Sequence, residues 1–214
     1  MLVSFALGLV LAFIIALMRM SKLPPLKGIA WFIVWVIRGT PLLVQIFVIF
    51  FGLPSIGIVL KPIPSAIIAL VVSQGAYNSE VIRAALTSIP KGQFEAAQSQ
   101  GFTYVERMYY IILPQSIKII LPPMVNQIVN LIKNTSCLYI IGGADLISLT
   151  YSFVTGENTG GAYAPAYLVS GLLFFVICYP LSKTASVWEI HLKKRDQRVT
   201  FQRTEGTVTD LSLI

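Results

Sequence analysis

The sequence predicts an all-α integral membrane protein with about five transmembrane helices, and three observations support this fold class. Hydrophobic residues make up 56% of the 214 positions and charged residues only 12%, whereas typical soluble domains carry about 25% charged residues. The apolar residues form long runs that are separated by short basic clusters. Nearly all basic residues fall on one predicted side of the membrane, so the net charge of +7 reflects topology. It does not indicate a nucleic-acid partner, because no basic face carries interleaved aromatic residues.

Five apolar segments are assigned as spans, with predicted bounds at residues 2–18, 41–51, 64–86, 115–141 and 162–181. The first span is expected to enter from outside, because Arg19 follows it directly. Residues 26–37 are apolar but too short to cross, and Trp31 and Trp35 favour a helix in the cytoplasmic interface. The glycines and prolines of residues 52–62 predict an external turn.

The remaining surface segments follow from the same reasoning. Residues 142–161 are assigned to an external stretch that carries Asp145 and Glu157. A stripe of small residues in the fifth span is expected to pack closely against another helix, and its members are Ala162, Ala166 and Ser170. An odd number of spans places the carboxyl terminus in the cytoplasm, with a partly disordered tail over residues 193–214.

Polar residues inside the third and fourth spans mark the positions where function is expected. Glu80 and Arg83 are three positions apart and are predicted to pair on one helix face. Pro122 and Pro123 predict a kink or a short non-helical break in the fourth span. Beyond them one helix face is polar, with Asn126, Asn130, Lys133, Asn134 and Cys137. A lysine that faces lipid would cost several kcal/mol, so this face points either to neighbouring helices or to a water-filled path.

Residues 88–114 predict a helical hairpin outside the membrane, between the third and fourth spans. Residues 93–100 are good helix formers, and Gly101 suits the left-handed position that follows a helix end. Thr103 and Glu106 have the spacing of a capping box, which predicts a second helix to about residue 112, interrupted at Pro114. Neither helix is long enough to cross a bilayer, so both are expected to dock against another surface.

The hairpin resembles the cytoplasmic coupling loop of ABC importer permease subunits, which reads Glu-Ala-Ala, three residues, Gly, nine residues, Ile, one residue, Leu-Pro. The matching positions keep every spacing of that pattern, and they are Glu95, Ala96, Ala97, Gly101, Ile111, Leu113 and Pro114. Residues 38–45 and 75–83 resemble the polar amino-acid branch of these permeases, which includes those for histidine, glutamine and arginine. On the local pattern alone, an ordinary amphipathic hairpin would explain the same residues.

The resemblance implies the type I ABC importer permease fold over residues 1–192, and further residues before the first span. It implies two cytoplasmic ATPase subunits that bind ATP and magnesium, a second permease subunit, identical or different, and an external amino-acid-binding protein. It also implies a place in the lipid of a bacterial inner membrane. Helical phase and the resemblance together indicate a substrate path lined by Gln74, Tyr77, Asn130, Lys133 and Asn134. Neutral or acidic polar amino acids are favoured as substrates, because few carboxylates are available to the path.

Other chemistry is not indicated by the residues. The sequence contains no Gly-x4-Gly-Lys-Ser/Thr phosphate loop, so ATP hydrolysis is expected in a partner subunit and no enzymatic role in this chain. His191 lies in the tail, and Cys137 and Cys178 lack metal-ligand spacing, so we predict no catalytic residue, metal or cofactor in this chain. The alternative function is a channel or secondary transporter for small polar solutes. Ion coupling would need carboxylates in mid-span, and only Glu80 is available.

Overall fold

The computed structural model describes residues 1–156 and 163–211, and the elements of these two ranges are helical throughout. The α-helices in chain order are α1 Leu2–Met20, α2 Pro24–Gly39, α3 Leu42–Phe47, α4 Pro62–Ser88, α5 Lys91–Ser99, α6 Tyr104–Glu106, α7 Leu113–Asn134, α8 Leu146–Thr155 and α9 Tyr163–Leu211. The all-α prediction is therefore confirmed. Glu157 and Ala162 lie outside the described residues.

Three helical stretches are long and apolar enough to cross a membrane, at Leu2–Met20, Tyr104–Ile141 and Tyr163–Leu192. A fourth span results if Pro24–Gly39 and Leu42–Ile56, which meet at a bend of 106°, are counted together. α4 is less apolar, but its 27 residues rise about 40 Å and are long enough to cross. Its polar side chains, including Gln74 and Asn78, are buried inside the protein. The described residues thus contain three apolar helices of spanning length, or four with the bent pair, and α4 is a further helix long enough to cross.

The second span is longer than its sequence indicates. After α3 the chain continues through a π-helical turn, Val48–Gly52, and a 3-10 turn, Leu53–Ile56. Pro54 lies in the first turn of that 3-10 segment, where the lack of an N–H group costs no hydrogen bond of the segment. The helical segment therefore continues to Ile56, past the predicted end of the span at about Phe51, and a turn begins at Gly57, whose φ of +86° lies in the left-handed region.

The fourth span is also more continuous than expected. Its helix runs from Tyr104 to Ile141, and both Pro122 and Pro123 lie inside α7, so the non-helical break is excluded and the kink stays a prediction. The interruption expected at Pro114 is wrong. A π-helical turn, Arg107–Ile112, precedes α7 and places Pro114 in the first turn of α7, where no intrahelical N–H bond is required. The second arm of the hairpin is therefore continuous with the helix of the fourth span.

The core of the membrane domain is the close, parallel packing of α1 on α4. A Cβ added at Gly8 would lie 2.8 Å from Gln74 Cβ, and one at Gly75 would lie 2.7 Å from Leu11 Cδ2. Only glycine permits this approach, so these two positions fix the distance between the helices.

α8 and α9 pack together on the other side of α7. α8 forms within the stretch assigned as external, and Asp145 caps it by accepting the Ser148 N–H at 2.9 Å. Thr150 of α8 and the buried Ser170 of α9 share a hydrogen bond of 2.5 Å. Ser170 of the predicted small-residue stripe therefore packs within the subunit. The backbone of α9 continues past residue 192, and the division into a membrane domain and a partly disordered tail stays a prediction.

Candidate functional site

The hairpin that resembles a coupling loop is formed by α5 and the start of the long helix that contains α7. α5 ends in a Schellman-type cap, in which Gly101 has a φ of +83° and donates its N–H to Gln98 O at 3.0 Å. The Phe102 N–H reaches Ala97 O at 3.2 Å and completes the motif. The predicted glycine cap is confirmed, and it reverses the chain between the two arms.

The second arm begins with the predicted capping box. Thr103 Oγ1 accepts the Glu106 N–H at 3.4 Å, and Glu106 Oε2 accepts the Thr103 N–H at 2.8 Å. The Thr103 hydroxyl also donates to Glu106 Oε2 at 2.7 Å. These hydrogen bonds lower the pKa of the Glu106 carboxyl below its usual value, and the bond from the Thr103 hydroxyl contributes most. At neutral pH the ionised carboxylate therefore holds the start of the helix in place.

Apolar contacts anchor the hairpin to the membrane helices. Phe94 of α5 and Met108 of the second arm pack against a buried cluster that joins α1, α4 and the second arm, namely Ala12, Ala16, Ile82, Leu86, Ile89 and Ile112. Arg107 Nη1 donates to Gln98 Oε1 at 2.9 Å and ties the two arms together. Because the hairpin touches α1 and α4 directly, a displacement of α5 must be accommodated by these two helices.

The coupling-motif residues divide between the anchored side and the free side of the hairpin. Ala97 is buried, and the half-buried Ile111 and Leu113 pack against the same apolar cluster. The exposed members are Glu95, Ala96, Gly101 and Pro114. Within the described residues the Glu95 carboxylate forms no ion pair. The hairpin thus exposes the Glu95 carboxylate, the small side chain of Ala96 and the helix end at Gly101, while its other side packs against the membrane helices.

The residues predicted for a substrate path on α4 lie on two different faces. Gln74 is only 2% exposed, accepts a hydrogen bond from Asn78 Nδ2 at 3.2 Å and packs against Gly8 of α1. Tyr77 is half-buried, and the Arg38 guanidinium lies 5.4 Å from its ring centroid. Tyr77 lines open space whereas Gln74 packs inside the subunit. A substrate role for either residue stays a prediction.

The polar face predicted on α7 is divided in the structure, because Cys137 lies in the following 3-10 segment and packs against a buried apolar cluster. Asn130 and Lys133 are exposed and Asn134 is half-buried. In the part of the chain that the structure describes, none of these three side chains makes a hydrogen bond or an ion pair. Since polar groups at membrane depth need partners, this face requires water, a substrate or a second subunit.

Between α4 and α7 lies a cleft of about 410 Å³, lined by Tyr77, Ala84, Pro123, Gln127 and others. Its edge carries a charge network that sequence reasoning found only in part. Glu80 pairs with Arg83, as predicted, with Arg83 Nε 3.2 Å from Glu80 Oε2, and it also pairs with Arg19 at the end of α1. The only sequence signal for the second pair was the position of Arg19 directly after an apolar run.

Comparison with known proteins places this architecture in one family. Residues 8–182 match the family described as binding-protein-dependent transport system inner membrane component. Among curated relatives, the L-cystine transport system permease protein TcyB of Bacillus subtilis (strain 168) is 40% identical over 191 residues, which cover 89% of this chain and 81% of TcyB. The arginine transport system permease protein ArtQ of the same organism is 35% identical over 195 residues, covering 91% and 88%.

Solved structures show the same fold. The structure of an amino acid ABC transporter with histidines superposes with a TM-score of 0.81 at 34% identity, covering 89% of this chain and 87% of the other. The MetNI methionine ABC transporter, in an inward-facing conformation, superposes with a TM-score of 0.67 at 18% identity, covering 88% of each chain, and shows the fold alone. The type I permease fold expected from the hairpin is confirmed. This chain belongs to the family of inner-membrane components of binding-protein-dependent transport systems, the permease subunits of ABC importers.

Proposed function

We propose that this chain is the permease subunit of an ATP-driven importer for polar amino acids, and that the hairpin around Glu95 is its contact to a separate ATPase. The observation that carries the proposal is the orientation of α5. Glu95 and Ala96 face outward, while Phe94 packs on the α1–α4 cluster and Ala97 is buried. One short helix thus connects an exposed docking surface to the membrane helices.

This orientation supports a simple mechanism of coupling. Closure of the ATPase pair around ATP and magnesium moves α5, and the packing of Phe94 passes the movement to α1 and α4. The ATPase must contact the hairpin differently in its two states, since a hairpin bound equally well in both would transmit nothing. Hydrolysis in the partner then resets the inner gate.

The path is formed, in this proposal, by the polar face of α7 and the cleft beside Tyr77. Lys133 is suited to an α-carboxylate, and the amides of Asn130 and Asn134 to other polar atoms of the substrate. Among the described residues, the one carboxylate that lines the cleft between α4 and α7 is Glu80, which already pairs with Arg19 and Arg83. A cationic side chain would find no free partner there, which favours neutral or acidic polar amino acids.

The complete importer then needs several further components. We expect two ATPase subunits, a second permease subunit, identical or different, that covers the polar face of α7, and an external amino-acid-binding protein. The location is a bacterial inner membrane, with the hairpin and the carboxyl terminus in the cytoplasm. The cytoplasmic side is supported by Arg19, Arg83 and Arg107, which cluster at the hairpin end of the helices.

The test is copurification of the complex from native membranes in mild detergent, followed by an ATPase assay of the eluate. Glu95→Ala removes the exposed carboxylate, and Gly101→Asp forces a side chain into the left-handed region and adds charge to the docking surface. Gln100→Ala is the matched control, because this exposed neighbour makes no side-chain contact that the hairpin needs. We expect the ATPase to accompany wild type and Gln100→Ala, and to be lost or uncoupled in the two motif variants.

The alternative, a channel or secondary transporter, predicts a different result from the same preparation. No ATPase would be recovered with any variant, and liposomes that contain this chain alone would carry solute flux. That combination would refute the importer.

A further inference from the structure

One face of α2 carries a stripe of basic and indole side chains, none of which is among the proposed substrate contacts. Lys27, Trp31, Trp35 and Arg38 follow one another at intervals of four, four and three residues, so they lie along one helix face. All four are exposed, and the two indole rings stack with centroids 6.2 Å apart. The adjacent face of α2, with Ala30 and Val34, is buried against α1 and α4. The stripe therefore lies at the edge of the contact between α2 and these two helices.

A cleft of about 360 Å³ opens beside this stripe, between α2, the end of α1 and α4. Both indoles, Arg38, Tyr77 and the ion pair of Arg19 with Glu80 line it. Cationic groups and amphipathic rings thus surround a space large enough for a small polar headgroup.

The charges in this cleft are not balanced within the subunit. Glu80 is shared by Arg19 and Arg83, so its one negative charge already faces two guanidinium groups. In the described residues no carboxylate pairs with Arg38. Among the residues that line the cleft, two arginines and one glutamate leave a net charge of +1. A free guanidinium offers a planar set of N–H donors that fits a phosphate in bidentate fashion.

The orientation of α2 matches a position at the membrane surface. α2 meets the span that follows it at 106°, so it runs across the direction of that span. Tryptophan favours the headgroup level of a bilayer, and the cytoplasmic leaflet carries anionic lipids. We propose that the cleft beside Trp31 and Trp35 binds the phosphate headgroup of an anionic phospholipid from the cytoplasmic leaflet, with Arg38 as the principal phosphate contact.

The experiment is tryptophan quenching in vesicles, using the full chain. Trp188→Phe leaves Trp31 and Trp35 as the only indoles, because the sequence has three tryptophans. The protein is reconstituted in phosphatidylcholine vesicles that contain dibrominated phosphatidylglycerol or, in parallel, dibrominated phosphatidylcholine. We expect phosphatidylglycerol to quench with higher apparent affinity, and Arg38→Gln to reduce this selectivity about fivefold, the effect of one basic residue at such a surface.

Two controls separate a built site from general attraction. Lys22→Gln removes the same charge from the adjacent exposed connection between α1 and α2, and we expect it to leave the selectivity nearly unchanged. Arg38→Lys keeps the charge without the bidentate geometry and is expected to lie between Arg38→Gln and wild type. Equal quenching by the two lipids, or equal losses in Arg38→Gln and Lys22→Gln, would overturn the proposal. Removal of the selectivity by soluble glycerophosphate would also overturn it, by showing a site for free phosphate.

Discussion

The hairpin and the polar face of α7 are both polar segments of an apolar protein, but they differ in where their partners are. In the hairpin, Thr103 pairs with Glu106 and Arg107 Nη1 with Gln98. Of the buried polar side-chain atoms described in the hairpin, only Arg107 Nε lacks a partner. On α7, Asn130 and its polar neighbours have no such partners in the described part of the chain. The hairpin is therefore held together mainly by contacts within this chain, whereas the polar side chains of α7 need partners from outside it. Substitutions in the two regions should affect different properties.

The largest effect is expected from Phe94→Ala, which removes the anchor of the hairpin. The truncation leaves a cavity beside the α1–α4 cluster, so we expect the docking of α5 to weaken by about 2 kcal/mol. This is less than the cost of truncating a fully buried phenylalanine, because Phe94 is half-buried. Hydrogen exchange of the α5 amides should accelerate about thirtyfold, because exchange reports local opening. Substrate-stimulated ATP hydrolysis by the complex should fall in parallel.

Lys91→Ala is the control for this change, since Lys91 is an exposed residue of the same helix. It should alter neither exchange nor coupling. If α5 exchange in Phe94→Ala matched wild type while coupling was lost, the anchoring role would be refuted and Phe94 would instead contact the ATPase.

A smaller effect of the opposite kind is expected from Asn130→Leu. Because the Asn130 side chain has no hydrogen bond within the described residues, its loss should change the free energy of local opening by no more than about 0.5 kcal/mol. Transport should suffer instead, with an increase of about fivefold in the substrate concentration for half-maximal uptake, the equivalent of one hydrogen bond. The measurement is uptake in proteoliposomes beside hydrogen exchange of α7. Destabilisation of α7 with normal uptake would show that this face is internal packing.

The same contrast explains what the sequence could predict. The Gly101 cap and the Thr103 capping box were predictable because both depend on residues within one or two helical turns. The continuity of the helix through Pro114 was not, because a π-helical turn just before it changes the hydrogen-bond register.

Tertiary packing limited the prediction of the membrane residues. Gln74 lies in a polar segment of α4, but the close approach at Gly8 turns it toward α1. The partner of Glu80 on α1 depends on the alignment of two helices that are 61 residues apart at that contact. Helical phase identifies a polar face, and only the packing shows what that face contacts.

The last prediction tests whether the capping box stabilises the hairpin, and its effect depends on pH. Thr103→Ala removes one side of the capping box and should destabilise the start of the second arm by about 1 kcal/mol, seen as faster exchange of the amides of residues 104–107.

The pKa of Glu106 is held below its usual value of 4.5. A carboxylate whose pKa is lower in the folded state stabilises the fold above its unfolded pKa. The stabilisation by the Glu106 carboxylate is therefore present above about pH 4.5 and is lost as the pH falls through the lower folded value. Glu106→Gln keeps a side chain that accepts the Thr103 N–H, so it should retain the cap and abolish the pH dependence. If the pH dependence persisted in Glu106→Gln, it would belong to another group. The contrast between the hairpin and α7 would then not hold.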